Sequence, residues 1–147
     1  EFNRFKSFDG AISAPMTITP TAGRDSSTLD VPIFNPLNNT YTPAGATHFR
    51  IINAIAVISD YAYNATTKVY EATDPTLDKL SAVEYSDYLP VNALTTAQSI
   101  VATLPGMPTM TASVSVLNAV GIEFYQEVNG NYYKFNQGNA MKIKQIF

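Results

Sequence analysis

Hydrophobic and polar residues alternate with period two over much of this chain, the repeat of a half-buried β-strand. The run 120–135, VGIEFYQEVNGNYYKF, alternates up to Asn129-Gly130 and then alternates again. Asn-Gly is the preferred pair for a two-residue type I′ turn, because both positions need positive φ. A hairpin closed there sets Val128 against Asn131, Tyr125 against Lys134 and Phe124 against Phe135. Ile122, Phe124, Tyr133 and Phe135 then share the inner face, while Glu123, Tyr125, Glu127, Tyr132 and Lys134 share the outer one. The hairpin is mainly core-building, and Tyr125 and Tyr132 are its exposed aromatics.

Other runs follow the same rule. MTITP puts Met16 and Ile18 on one face. TLDVPIF turns Leu29, Val31 and Ile33 inward and Asp30 outward, with Pro32 marking an edge or a bulge. HFRIINAIAVI is nearly all apolar, as expected of a central strand covered on both faces. ASVSVLNAVGIEFYQEV is a second long strand, and AMKIKQIF turns Met141, Ile143 and Ile146 mostly inward. Residues 93–104 fit two periods. Leu94, Ala97, Val101 and Leu104 have helical spacing, whereas Ile100, Ala102 and Leu104 have strand spacing. The Thr content and strand-rich neighbours favour strand.

Turn signals recur about every ten residues, among them DG at 9–10, NPLNN at 35–39, LPGMP at 104–108 and NG at 129–130. Short strands at that spacing predict an all-β, antiparallel β-sandwich of about seven to nine strands, similar to immunoglobulin or fibronectin type III domains. No linker or repeat divides residues 1–147, so one domain is expected.

Composition narrows the possible functions. Only 14% of the 147 residues are charged, with sixteen Thr and twelve Asn among the uncharged polar residues. A net charge of −3 and nine scattered basic residues argue against nucleic acid as a partner. No apolar run reaches the ~18 residues of a membrane helix, so no membrane insertion is expected. The chain starts EFNRF, with neither an initiator Met nor a signal-peptide pattern, and reads as a processed product or a fragment.

Chemistry is sparse. There is no Cys, hence no thiolate metal site or Cys nucleophile. His48 is the only histidine, which excludes a zinc site with two or three His. A Ser-His-Asp triad would have to use His48 without a G-x-S-x-G elbow. A half-buried, hydrogen-bonded His opening a strand is the expectation there. Asp60, Glu71, Asp74, Asp78, Glu84 and Asp87 cluster along the middle of the chain. DPTLD lacks the glycine and alternate-residue ligands of an EF-hand, so a solvated acidic rim is expected. No P-loop or G-x-G-x-x-G is present. No cofactor, metal or catalytic residue is assigned. The sequons at Asn38-Asn39-Thr40 and Asn64-Ala65-Thr66 reflect abundant Asn and Thr.

Three segments, GATHFRIINAIAVI, LPVNALTTAQSIVATLP and AVGIEFYQEVNGNYYKFNQGNAMKI, resemble the C-terminal half of an uncharacterised protein family of Bacteroidetes genomes. The likeness runs from about Leu29 onward and is strongest in GIEFYQEVNG. It implies a bacterial source and a longer parent with a region before Glu1. That family has no assigned activity, so no site residue carries over.

The expected function is a non-enzymatic structural or assembly subunit that works through protein–protein packing and self-association. A carbohydrate- or protein-binding adhesion module is the alternative, and an enzyme whose carboxylates converge only in the fold comes third. Asp60 to Asp87 carries six acids against two lysines, whereas Asn129 to Phe147 carries three lysines and no acid. Complementary patches of this kind favour head-to-tail contacts. The candidate interaction surface is Tyr125, Tyr132, Lys134, Lys142 and Lys144.

Overall fold

The structure, a computed structural model, describes residues 6–147, so the EFNRF start lies outside the described residues. Two single helical turns, α1 (Phe8–Ala11) and α2 (Pro36–Asn39), accompany eleven strands. These are β1 (Thr17–Pro20), β2 (Ser26–Val31), β3 (His48–Ser59), β4 (Tyr61–Asn64), β5 (Val69–Ala72) and β6 (Ser81–Tyr85). They continue with β7 (Leu89–Pro90), β8 (Gln98–Thr103), β9 (Val114–Val128), β10 (Asn131–Lys134) and β11 (Ala140–Ile146). The all-β, antiparallel expectation holds. The strand count exceeds the expected seven to nine, because several edge positions are filled by two short strands rather than one long one.

β3 and β9 are the spine. They pair from His48–Tyr125 to Ser59–Val114 without interruption. The far edge of β9 carries β10 and then β11, and the far edge of β3 carries β7 and then β6. A separate sheet, β1-β2-β8, covers one face of this spine. Alternation decides which side chains meet it. Phe49, Ile51, Ile55 and Val57 of β3 and Val116, Val120, Ile122 and Phe124 of β9 all point to the covered face and are buried. Phe34, Phe49 and Phe124 form a continuous run there, with centroids 6.0 and 6.2 Å apart. Two apolar clusters result, and the buried Asn53, Asn118 and Ser27 lie between them.

Within residues 93–104, Gln98–Thr103 form a strand and no helix is present. Ile100, Ala102 and Leu104 are buried at strand spacing, while Leu94 is exposed. The NG hairpin has the expected register, Val128 with Asn131 and Tyr125 with Lys134, and the Phe135 N–H continues it onto Phe124 O. Asn129 and Gly130 both have positive φ, 52° and 81°, as a type I′ turn requires.

Five orientations differ from the sequence reading. Ile33 is exposed, because Pro32 cannot donate to the ladder and ends β2 at Val31; Phe34 turns inward in its place. Tyr133 is exposed, because the hairpin tip extends past the covering sheet. Tyr125 is buried beneath neighbouring rings. β11 pairs so that Ala140 faces inward and Met141 and Ile143 face outward. A bulge between Ile143 and Gln145 then sets exposed Ile146 beside Leu117 on the same outer side. Finally, β3 is central but covered on one face only, and its outward positions Ala54 and Ala56 lie open in a surface groove.

Candidate interaction surface

The uncovered face of the spine has two halves with different chemistry. Near His48 and Tyr125 it is aromatic and charged. Tyr88 and Tyr132 stack at 3.7 Å with an interplanar angle of 4°. Tyr88 meets Tyr125 edge-on at 5.1 Å, and His48 meets Tyr132 edge-on at the same distance. The Arg50 guanidinium lies 4.5 Å from the Tyr85 ring centre and 4.9 Å from that of Tyr88, while its Nε donates to Ser86 O at 2.8 Å. The Tyr125 hydroxyl donates to Glu123 at 2.7 Å, and the Lys134 ammonium binds the other oxygen of that carboxylate. Burial, and then the carboxylate it bonds, push the Tyr125 hydroxyl above its ordinary range.

Nearly every polar group of this half is therefore satisfied by a neighbour, and the ring faces are largely occupied by one another and by Arg50. His48 Nδ1 lies 3.0 Å from Thr47 Oγ1, which also accepts from Glu127 N–H, so this histidine is set by a strand-end hydrogen bond. Among the described residues no group of three or more His, Asp and Glu could hold a metal ion.

The other half is apolar. Its floor is Ala54, Ala56 and Ala119, and its sides are Val83 on β6 and Met141 and Ile143 on β11. Small residues on the two central strands and large ones on the flanking strands leave a hollow of about 230 Å³. Gly121 sets its upper limit: Ile52 lies across the glycine, where a Cβ would stand 3.2 Å from Ile52 Cδ1 and 3.1 Å from Met141 Cε. That overlap is why Ile52, on the open face, is only 4% exposed.

A second exposed feature is the β4–β5 hairpin, which pairs with no other strand among the described residues. Tyr61, Tyr63 and Tyr70 share one face of it, with Tyr63 and Tyr70 edge-on at 5.6 Å. All three are at least half exposed.

Of the sequence candidates, Tyr125, Tyr132 and Lys134 come together in the aromatic half. Lys142 and Lys144 do not join them; both bind Asp9 beside α1. The middle acids do not converge on one ligand. Glu71 accepts from Asn64 and Thr67, Asp74 from Thr76 and Thr111, and Asp78 from Ser59 N–H and Tyr61. Those hydrogen bonds hold all three carboxyls below their usual range. Arg50, Tyr88, the hollow and the tyrosine hairpin were not singled out from sequence. The signal was a period-two series of small residues, Ala54 and Ala56 in one long strand and Ala119 and Gly121 in the other, and of tyrosines in YAY.

Compared with known proteins, the chain matches no family model, no curated protein and no solved structure. The family resemblance rests on its three motifs alone.

Proposed function

We propose that this chain is a non-enzymatic structural or assembly subunit that acts through protein–protein packing, with the hollow of the uncovered sheet face as its contact. The supporting observation is that the hollow is lined by Ala, Val, Leu, Ile and Met with Ser81 as the sole hydroxyl side chain. A sheet face of that composition is stable against an apolar partner and costs free energy against water. Low overall charge adds to this, because few ions must be desolvated on contact. The finer fold assignment, an immunoglobulin- or fibronectin-like sandwich, draws on the β1-β2-β8 sheet facing the spine sheet across two buried apolar clusters. The bacterial source implied by the motif resemblance belongs to the same proposal.

Light scattering tests the packing reading. Ala119→Arg, which sets a charge on the floor, and Val83→Lys, which sets one on the rim, should abolish association without unfolding the chain. Tyr85→Ser and Tyr88→Ser should leave association intact. A wild-type chain that stays monomeric at high concentration would sink the proposal.

The alternative, a carbohydrate- or protein-binding adhesion module, draws on the partly exposed Tyr85 and Tyr132 beside Arg50. It comes second because stacking on a sugar needs a free ring face, and these rings already cover one another. The chain has no Trp but nine Tyr, so the cluster's share of the tyrosine fluorescence is the part that changes in Tyr132→Ala. A saturable fluorescence change with an oligosaccharide, lost in Tyr132→Ala, would promote the alternative.

A further inference from the structure

We infer that the hollow receives the β4–β5 tyrosine hairpin of a second copy of this chain, with the Tyr63–Tyr70 pair entering between Val83 and Ile143, so that copies join head to tail. This rests on the packing reading above and adds the identity of the partner.

The hairpin has the form of an insert. None of residues 61–72 is buried, and Tyr70, at 70%, is the most exposed large hydrophobic side chain among the described residues. A two-stranded hairpin alone in water is marginal, yet this one is fixed at its base. The Tyr61 hydroxyl donates to Asp78 at 2.9 Å, Thr73 N–H to Asp60 O at 2.8 Å and Asp60 N–H to Ser113 O at 2.7 Å. Those bonds hold a tyrosine face out into solvent instead of folding it onto the body. Only Asp60 separates β3 from β4, and no residue of the pinned hairpin lines the hollow of its own chain.

The hollow has the matching form. An apolar cavity of about 150 Å³ takes up benzene, so about 230 Å³ accommodates one phenol ring and the edge of its neighbour. Facing layers fill space best where large side chains oppose small ones, as Tyr63 and Tyr70 would oppose Ala54, Ala56 and Ala119. Pairing two copies hollow to hollow would leave the space empty, and pairing hairpin to hairpin would leave it uncovered. The contact is therefore heterologous.

At 150–250 Å² per fully buried aromatic, the three part-exposed tyrosines would contribute roughly 300–400 Å². That lies below the roughly 1,000 Å² of a stable specific interface, so the contact is a weak one and association should depend steeply on concentration.

Complementation tests the inference. Sedimentation velocity would be run on the wild-type chain, on the hairpin variant Tyr63→Ser/Tyr70→Ser, on the hollow variant Ala119→Arg, and on an equal mixture of the two variants. Val83→Lys replaces Ala119→Arg if circular dichroism shows that the latter does not fold. The wild type should gain mass with concentration, and each variant alone should be monomeric. The mixture, with one intact hairpin and one intact hollow per pair, should form 1:1 dimers and grow no further. A hairpin variant that associates like wild type, while the hollow variant does not, overturns the choice of partner and leaves the packing reading standing. A mixture that fails to pair overturns the head-to-tail contact. A wild-type chain that stays monomeric throughout overturns both.

Discussion

Asn118 donates from Nδ2 to Oδ1 of Asn53 at 2.8 Å, and neither residue has any exposed surface. The pair crosses the spine between its two apolar clusters. Asn53 in turn donates to Ser27 O at 2.8 Å and Ile100 O at 2.9 Å, one carbonyl from each of two strands of the covering sheet. A slip of one residue would break both bonds and bury a free amide, so the network fixes how the sheets sit on each other.

Asn53→Leu should therefore be among the most damaging substitutions. It removes a short hydrogen bond from two buried carbonyls and leaves the Asn118 amide only its longer ones to Ser27 Oγ and Ala54 O, at 3.3 and 3.4 Å, for a total loss of roughly 1–3 kcal/mol. Asn118→Leu should cost less, because Asn118 Oδ1 accepts no hydrogen bond from the described residues. Urea unfolding of both variants and the double variant checks this. Equal losses, or a double variant equal to the sum of the singles, would contradict a shared network.

The hairpin gives a contrast between faces. Phe124 is fully buried against Phe49, so Phe124→Ala should cost ~3–5 kcal/mol. Tyr133, which sequence alternation places on the same face, is 59% exposed, and Tyr133→Ala should fall within about 0.5 kcal/mol of wild type. Thermal unfolding of the two variants separates the observed arrangement from one in which the covering sheet reaches the hairpin tip.

Two glycines with nearly the same φ should respond differently to alanine. Gly130 and Gly138 have φ of 81° and 83°, so each pays roughly 1–2 kcal/mol for a Cβ in the left-handed region. Nothing lies within 4 Å of a Cβ at Gly130, whereas one at Gly138 would meet Pro43 Cγ at 2.4 Å. Gly138→Ala should lower the unfolding midpoint clearly more than Gly130→Ala. Equal shifts would mean that the 43–45 loop yields freely.

How much of this was legible follows from what alternation encodes. It gives the faces of a strand but not which face will be covered. Leu29, Val31 and Ile122 were placed correctly because Asp30, Gly121 and Glu123 alternate with them and show the pattern. Ile143 and Ile146 were misplaced because their face depends on pairing with β9, twenty-odd residues away, and on a one-residue bulge that no local signal announces. Tyr125 and Tyr132 were identified as outer-face aromatics. That Tyr88 would contact both, with Tyr125 buried and Tyr132 left partly exposed, depends on the 85–90 loop crossing the end of β3. The lysine excess of the last nineteen residues was legible as charge, whereas the partners of those lysines, Glu123 and Asp9, come from elsewhere in the chain.

Tyr125 predicts an alkaline limit to stability. Its folded-state pKa is raised by burial and by Glu123, so the folded chain holds the proton more tightly than the unfolded one. The stability this gives is complete below the unfolded value, about pH 10, and is lost as pH rises beyond it. Tyr125→Phe keeps the ring contacts and removes the proton, so its unfolding midpoint should fall less steeply above about pH 10 than that of wild type. Parallel curves for the two proteins would assign the alkaline transition to other groups.

Asp9 predicts a smaller effect at the acid end. Hydrogen bonds from Lys142 and Lys144 hold its carboxyl below the ordinary value of 3.8. The unfolded chain therefore takes up the proton first. The stability from this cluster is present above the unfolded value and is lost as pH falls through the folded one. Its size is bounded by exposure. The Asp9 side chain is 54% accessible, and solvated ion pairs are worth roughly 0.2–1 kcal/mol. Asp9→Asn should cost no more than about 1 kcal/mol at neutral pH and low salt, and less still in high salt. Below about pH 4 the difference from wild type should shrink as the wild-type carboxyl protonates. Reversing both lysines to Glu is a different experiment, because it sets three carboxylates together beside α1 and risks detaching Phe8 from the core. Association lost in that variant would report a damaged edge, so the charge contribution to head-to-tail contact is better read from the salt dependence of the wild-type chain. A loss of several kcal/mol in Asp9→Asn at neutral pH would mean that this pairing, and not the burial of Phe8 and Ala11, is what holds α1 against β11.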